Sequence, residues 1–165
     1  MRPLRVDAWR EDVVTAESFE RTIVVGLDNT PAARAALRWA VRRASRLKAA
    51  VRAVHVLELP GSAGPLEHDP AGERATVQGR AQDWVAGALT GLAVEAPVTI
   101  DVRDGDPAEV LSRAARHAEI LVLGKNPDSA TTPITDWAVP LGCELVVIDE
   151  SGQLAAHRAA VGTNR

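Results

Sequence analysis

The chain has 165 residues, 46% hydrophobic and 25% charged, which is enough for one domain with its own core and the wrong balance for a disordered chain. A net charge of -3 and a pI near 5.8 leave no excess of positive charge to hold a phosphate backbone or an anionic membrane, so neither nucleic acid nor a membrane is expected as a partner. The single cysteine, Cys143, excludes an intramolecular disulfide, and with four scattered histidines it builds no Cys/His metal cluster.

The opening segment Met1 to Asp7 runs straight into charge, and no apolar stretch approaches the roughly 20 residues needed to span a bilayer, so a cytoplasmic location is expected. Residues 1–20 stand outside the pattern that follows and read as an N-terminal arm. The first strong signal is Thr22-Ile23-Val24-Val25-Gly26-Leu27, a β-branched run stopped by Asp28-Asn29-Thr30-Pro31; it predicts a buried strand ended by a turn. Ala33, Ala36, Leu37, Ala40, Val41, Ala44 and Leu47 then recur at helical spacing, with Thr30 as the N-cap and Pro31 at the first helical position.

Val51 to Leu57 predicts a second strand, followed by the Pro/Gly-rich loop Pro60 to Pro65. From about Glu73, the positions Val77, Ala81, Trp84, Val85, Ala88, Leu89 and Leu92 line one face of a second helix, which Gly79 and Gly87 weaken. Val98 to Val102 alternates like a third strand, Gly105-Asp106-Pro107 turns the chain, and Val110, Leu111, Ala114, Ala115 and Ala118 form a third helical face. Ile120 to Leu123 predicts a central fourth strand and Leu145 to Ile148 a fifth, with residues 151–165 reading as a C-terminal tail. Strands alternating with helices predict a doubly wound α/β domain over residues 21–150, a five-stranded parallel sheet with helices on both faces.

In such a sheet a ligand sits beyond the carboxyl ends of the strands, which points to Asp28 to Thr30, Gly105-Asp106, and Gly124 onward. Asp28 suits a ribose or a base, and equally an Asx turn capping the first helix. Gly105 suits either a close backbone approach to a ligand or an ordinary turn before Pro107. Gly124-Lys125 is not a P-loop, because Glu119 stands where that motif needs a glycine, and the dinucleotide fingerprint is absent after the first strand.

In chain order, Thr22 to Asp28, Ala36 to Ala40, Val54-His55-Val56, Gly105 to Leu111, Ala118 to Gly124 and Cys143 to Ile148 together resemble the universal stress protein family. The resemblance covers about residues 21 to 150 and implies a Rossmann-like fold of the adenine nucleotide alpha hydrolase-like type, a dimer, and either of two groups, one binding ATP and one not. It also implies that, where a nucleotide binds, Asp28 and Val56 contact the adenosine with Gly105 beside it, and Gly124, Lys125, Thr131 and Thr132 lie by the phosphates, with magnesium.

In the ATP-binding group the fourth strand is followed by G-x-x-G, nine residues, then G-[S/T], so that bare amides and a hydroxyl cradle the phosphates. Here the first glycine is Gly124, but the second falls on Pro127, which has no N–H. Counting forward puts the G-[S/T] pair on Trp137-Ala138; counting back from Cys143 puts it on Thr131-Thr132 with a loop about six residues short. Asp128 adds a like charge that Lys125 offsets. The expectation is therefore a non-enzymatic, dimeric stress-response module without a bound cofactor, the alternative being an ATP-binding regulator with slow or absent hydrolysis.

No Ser-His-Asp or paired-carboxylate spacing emerges, and His55 reads as a satisfied core histidine, with no partner visible for His68, His117 or His157. Arg34, Arg38, Arg42 and Arg46 form a basic stripe on the first helix, a solvated face or a seat for the acidic N-terminal arm. If the fifth strand lies at the sheet edge, Leu145 to Ile148 are exposed unless another chain covers them, which predicts a homodimer through that strand.

Overall fold

The computed structural model describes residues 21–57, 70–125 and 142–160. β1 (Thr22–Gly26) leads into α1 (Pro31–Leu47), β2 (Ala50–Leu57), α2 (Pro70–Leu89), β3 (Val98–Asp104) and α3 (Pro107–Ala114). A single 3-10 turn (Ala115–His117) precedes β4 (Ile120–Gly124), and β5 (Glu144–Ile148) and β6 (Leu154–Arg158) complete the described chain. The α/β class and the parallel arrangement read from the sequence are those observed.

The strand order is β3-β2-β1-β4-β5-β6, with every pair parallel except β5 and β6. The first half of the chain winds outward from β1 to β3 and the second returns beside β1 as β4. Because β1 and β4 are buried on both faces, these strands are nearly continuous apolar runs, as parallel strands under helices must be. Ile23, Val25, Val51, Val122, Val146 and Ile148 meet α1 and α2 on one face. Val24, Val54, Leu121, Leu123 and Leu145 meet Leu111 of α3 on the other.

α1 begins where its sequence says. Thr30 is the N-cap, its Oγ1 accepting from Ala33 N at 3.1 Å, and Pro31 needs no donor at the first position. Its apolar stripe of Ala33, Ala36, Leu37, Ala40, Val41 and Ala44 is buried, and Lys48 closes the helix in the left-handed conformation with its N–H on Ala44 O. Of the arginine stripe, Arg38 is not merely solvated: its Nη1 donates to Ala88 O at 2.9 Å and Thr90 O at 3.3 Å, satisfying carbonyls at the end of α2. Seating of residues 1–20 on that stripe lies outside the described residues.

The far end of the sheet adds to one expectation and overturns another. The sheet has six strands rather than five, and Leu145 to Ile148 is not its edge: β6 pairs antiparallel along β5, Leu145 opposite Arg158 and Val147 opposite Ala156. Of the segment from Ser151 that reads as a tail, the residues up to Arg158 close a hairpin on β5. Asp149 makes the turn, its Oδ1 accepting from Ser151 N (2.9 Å), Ser151 Oγ (2.6 Å) and Gln153 N (3.0 Å), while Gly152 supplies a φ of 85°. The Ser151 hydroxyl, with the Gln153 amide, holds the Asp149 carboxyl below its ordinary range. Leu154-Ala155-Ala156-His157-Arg158 contains no β-branched or aromatic residue, so its own sequence does not announce a strand. His157 also has a partner that sequence could not show, Glu144 Oε1 at 2.8 Å from its Nε2. A homodimer through β5 itself is therefore set aside, since β6 already occupies that edge.

Candidate functional site

The strand order reverses at β1, which has β2 on one side and β4 on the other, so the crevice beyond the carboxyl ends of β1 and β4 is the topological switch point. The chain puts Asp28 just after β1 and Gly124-Lys125 at the end of β4, so two of the three segments singled out by sequence flank that point. Gly105 follows β3, two strands away, and Val56 lies near the end of β2. Thr131 and Thr132, like Pro127, Asp128 and Trp137, lie outside the described residues.

Asp28 is exposed, and its Oδ1 accepts from both the backbone N (2.8 Å) and the hydroxyl (2.5 Å) of Thr30. That is the Asx turn, which fixes the hydroxyl that caps α1. The first turn of α1 has little left for a ligand: Pro31 has no N–H, Ala33 N is bound by Thr30 Oγ1, and Arg34 N by Thr30 O at 3.2 Å.

Gly124 has a structural reason of its own. A Cβ there would stand 2.6 Å from Ala32 C and 2.6 Å from Ala33 N, so the glycine lets the start of α1 lie against the end of β4. Lys125 extends the ladder by donating its N–H to Ile148 O at 2.8 Å and is itself exposed. Gly105 has a φ of 135°, which L residues rarely adopt, and its N–H donates to Leu57 O at 3.1 Å; Asp106 then caps α3 by accepting from Glu109 N at 3.0 Å. Val56 packs against the core cluster beneath α3.

The topology also brings acidic residues to this edge. Asp28, Asp104, Asp106, Asp149 and Glu150 all fall at or just past the carboxyl ends of parallel strands, where Lys125 also lies. Arg74 of α2 pairs with Asp104. With Asp104 paired to Arg74 and Lys125 at the end of β4, the charge along this edge is mixed. Among the described residues, the Asp28 carboxylate is engaged by Thr30 and the first-turn amides of α1 are largely used.

His55 and Cys143 are both taken up by the fold. His55 Nδ1 lies 2.7 Å from Leu27 O, and its ring meets Trp84 edge-on at a centroid distance of 5.1 Å. Cys143 is buried, and burial pushes its thiol up, with a backbone hydrogen bond at Leu121 and the Arg158 charge pulling the other way. No group of three or more His, Cys, Asp or Glu arranged to hold a metal occurs among the described residues, and none of their helices is long and apolar enough to cross a membrane.

The profile described as "Universal stress protein family" matches residues 20–132. Among solved structures, the chain is similar to a protein of the universal stress protein family from Burkholderia pseudomallei, 24% identical over 78% of this chain and 96% of that one, with a TM-score of 0.53. It is similar also to a universal stress protein in complex with cAMP (17% identity, 80% and 98% covered, TM-score 0.56). A third is a universal stress protein family protein from Arabidopsis thaliana with AMP bound (14% identity, 78% and 90% covered, TM-score 0.52). None of the curated proteins matches. At these identities the structural likeness carries the fold and nothing finer.

Proposed function

Because the chain belongs to the universal stress protein family, we propose that it is a dimeric, cytoplasmic stress-response module that acts through protein contacts and holds ATP weakly or not at all. The observation that carries this reading is the start of α1, where Asp28 is engaged by Thr30 and the first-turn amides are taken up by Pro31 and the Thr30 cap. Pro127 in place of a glycine amide adds to it from the sequence. A non-enzymatic role is supported by the engagement of His55 with Leu27 O and by the buried, weakly acidic Cys143 thiol, neither of which is poised as a base or nucleophile.

A second reading, an adenine-nucleotide-binding regulator with slow or no hydrolysis, is favoured by the cAMP and AMP complexes of two proteins of the same fold. In it Asp28, Val56 and Gly105 hold the nucleoside, and Gly124, Lys125, Thr131 and Thr132 the phosphates, with magnesium. A thermal shift titration with Mg-ATP separates the two. Saturating ligand stabilises the folded state by a few kcal/mol, about 2.7 at a hundredfold excess over Kd. The first reading expects an unchanged melting temperature at millimolar Mg-ATP. A clear rise that disappears in Asp28→Ala overturns it in favour of the second.

A further inference from the structure

We propose that the C-terminal half of α1, with Arg42, Arg43, Arg46 and Trp39, is a docking surface whose occupant is the acidic segment 11–20 of this same chain, turned back from the start of β1. The surface lies at the opposite end of α1 from Asp28 and Thr30, so it stands apart from the nucleotide question.

α1 carries five arginines, Arg34, Arg38, Arg42, Arg43 and Arg46, and no acid. Two are engaged within the fold: Arg34 donates to Asn29 Oδ1 at 3.1 Å, and Arg38 holds the carbonyls at the end of α2. The other three have no ion-pair or hydrogen-bond partner among the described residues. Arg42 and Arg46 are exposed, whereas Arg43 is half-buried and its Nε is closed off from solvent without an acceptor. A buried donor left unpaired is costly, and folded proteins nearly always supply its partner, so Arg43 calls for an acceptor from outside the described residues. Trp39, one helical turn before Arg43, is only partly buried against the core. The acids at the amino ends of the strands do not answer this charge. Glu119 faces Arg21 at 3.5 Å, Glu144 faces His157 Nε2 at 2.8 Å, and Glu95 lies before β3, at the far margin of the sheet.

Segment 11–20 has the complementary chemistry. Glu11, Asp12, Glu17 and Glu20 fall in a stretch without lysine or arginine, together with Val13, Val14 and Phe19; the basic residues Arg2, Arg5 and Arg10 all precede it. The segment also joins the fold beside its seat. Arg21 O accepts from Ala50 N at 3.0 Å, and Ala50 comes just after α1 ends at Leu47, so the chain enters β1 next to the C-terminal end of α1. Ten extended residues reach about 33 Å and a helix of 17 residues is about 25 Å long, so all of α1 is within the segment's span. A carboxylate there gives Arg43 Nε its acceptor and pairs Arg42 and Arg46, while the apolar residues cover Trp39. Exposed ion pairs are individually weak, but the tether replaces a bimolecular encounter with a local one, so the contact forms within one chain and is loosened by salt.

The lysines of the chain are Lys48, which closes α1, and Lys125, at the opposite end of the sheet, so carbodiimide coupling of carboxylate to lysine in the full chain, mapped by mass spectrometry, reads where the segment lies. The expected result is a bond within one chain from an acid of residues 11–20 to Lys48. Its yield should fall at least about fivefold in Arg42→Gln/Arg46→Gln and again between about 50 and about 500 mM salt, and stay unchanged in Arg80→Gln/Arg116→Gln, an exposed pair elsewhere on the fold. Glu11→Gln/Asp12→Asn, which leaves the described fold untouched, should lower coupling of Glu17 and Glu20 to Lys48 at least about twofold. Equal yields in the natural chain and in Arg42→Gln/Arg46→Gln overturn the surface, since the segment then meets Lys48 through its tether alone. Coupling to Lys48 found only between two chains overturns the same-chain occupant in favour of a second copy's segment, and no coupling at Lys48 overturns the proposal outright.

Discussion

Gly124 and Ala32 are in direct contact across the switch point: the place a side chain would take at Gly124 is filled by the backbone of Ala32 and Ala33, 2.6 Å away. The glycine at the end of β4 thus has a packing duty independent of any ligand. Gly124→Ala is expected to cost about 1–3 kcal/mol of stability, as forcing atoms into a filled space usually does, because backbone rather than a flexible side chain must move. Urea denaturation without nucleotide measures it. A cost near zero would return Gly124 to the role of a ligand-facing glycine.

Thr30 and Asp28 act as one cap. The Thr30 hydroxyl accepts from Ala33 N and donates to Asp28 Oδ1, so each residue positions the other. Thr30→Ala is expected to cost about 1 kcal/mol, as N-cap removals do. Asp28→Ala should cost a comparable amount, and the double variant clearly less than the sum, with a coupling of at least about 0.5 kcal/mol. A double-mutant cycle from denaturation curves checks this; strict additivity would mean that Asp28 does not serve the cap.

Cys143 makes stability fall at alkaline pH. Burial raises its thiol pKa in the folded state above that of the unfolded chain, so the folded state holds the proton more tightly. The sign follows directly: the contribution is fully present below the ordinary thiol range, about 8.5, and is lost as pH rises through the folded-state value. Denaturation midpoints at pH 7 to 10 should fall for the natural chain more steeply than for Cys143→Ala. Parallel slopes would show that the thiol stays protonated in both states or titrates alike in both.

Much of the fold is legible in the sequence. Thr22 to Leu27 and Ile120 to Leu123 are strands because β-branched, doubly apolar runs suit only a sheet covered on both faces, and Thr30-Pro31 names the start of α1 without ambiguity. β6 is not legible, because Leu-Ala-Ala-His-Arg has weak strand character and is held by the Asp149 turn and the ladder to β5. The turn itself, Asp-Glu-Ser-Gly, is the one local signal of a hairpin, and it does not suffice because no apolar alternation follows it.

The candidate site divides the same way. Sequence alone determined that Asp28, Gly105 and Gly124 follow strands, since a turn residue behind an apolar run is a local signal. Tertiary structure decided that Asp28 is engaged by Thr30, that Gly124 is filled by α1, that β6 rather than β5 ends the sheet, and that carboxylates from separate connections share one edge. Those facts depend on which strands lie side by side, and strand order is set by burial over the whole core, which no single segment encodes.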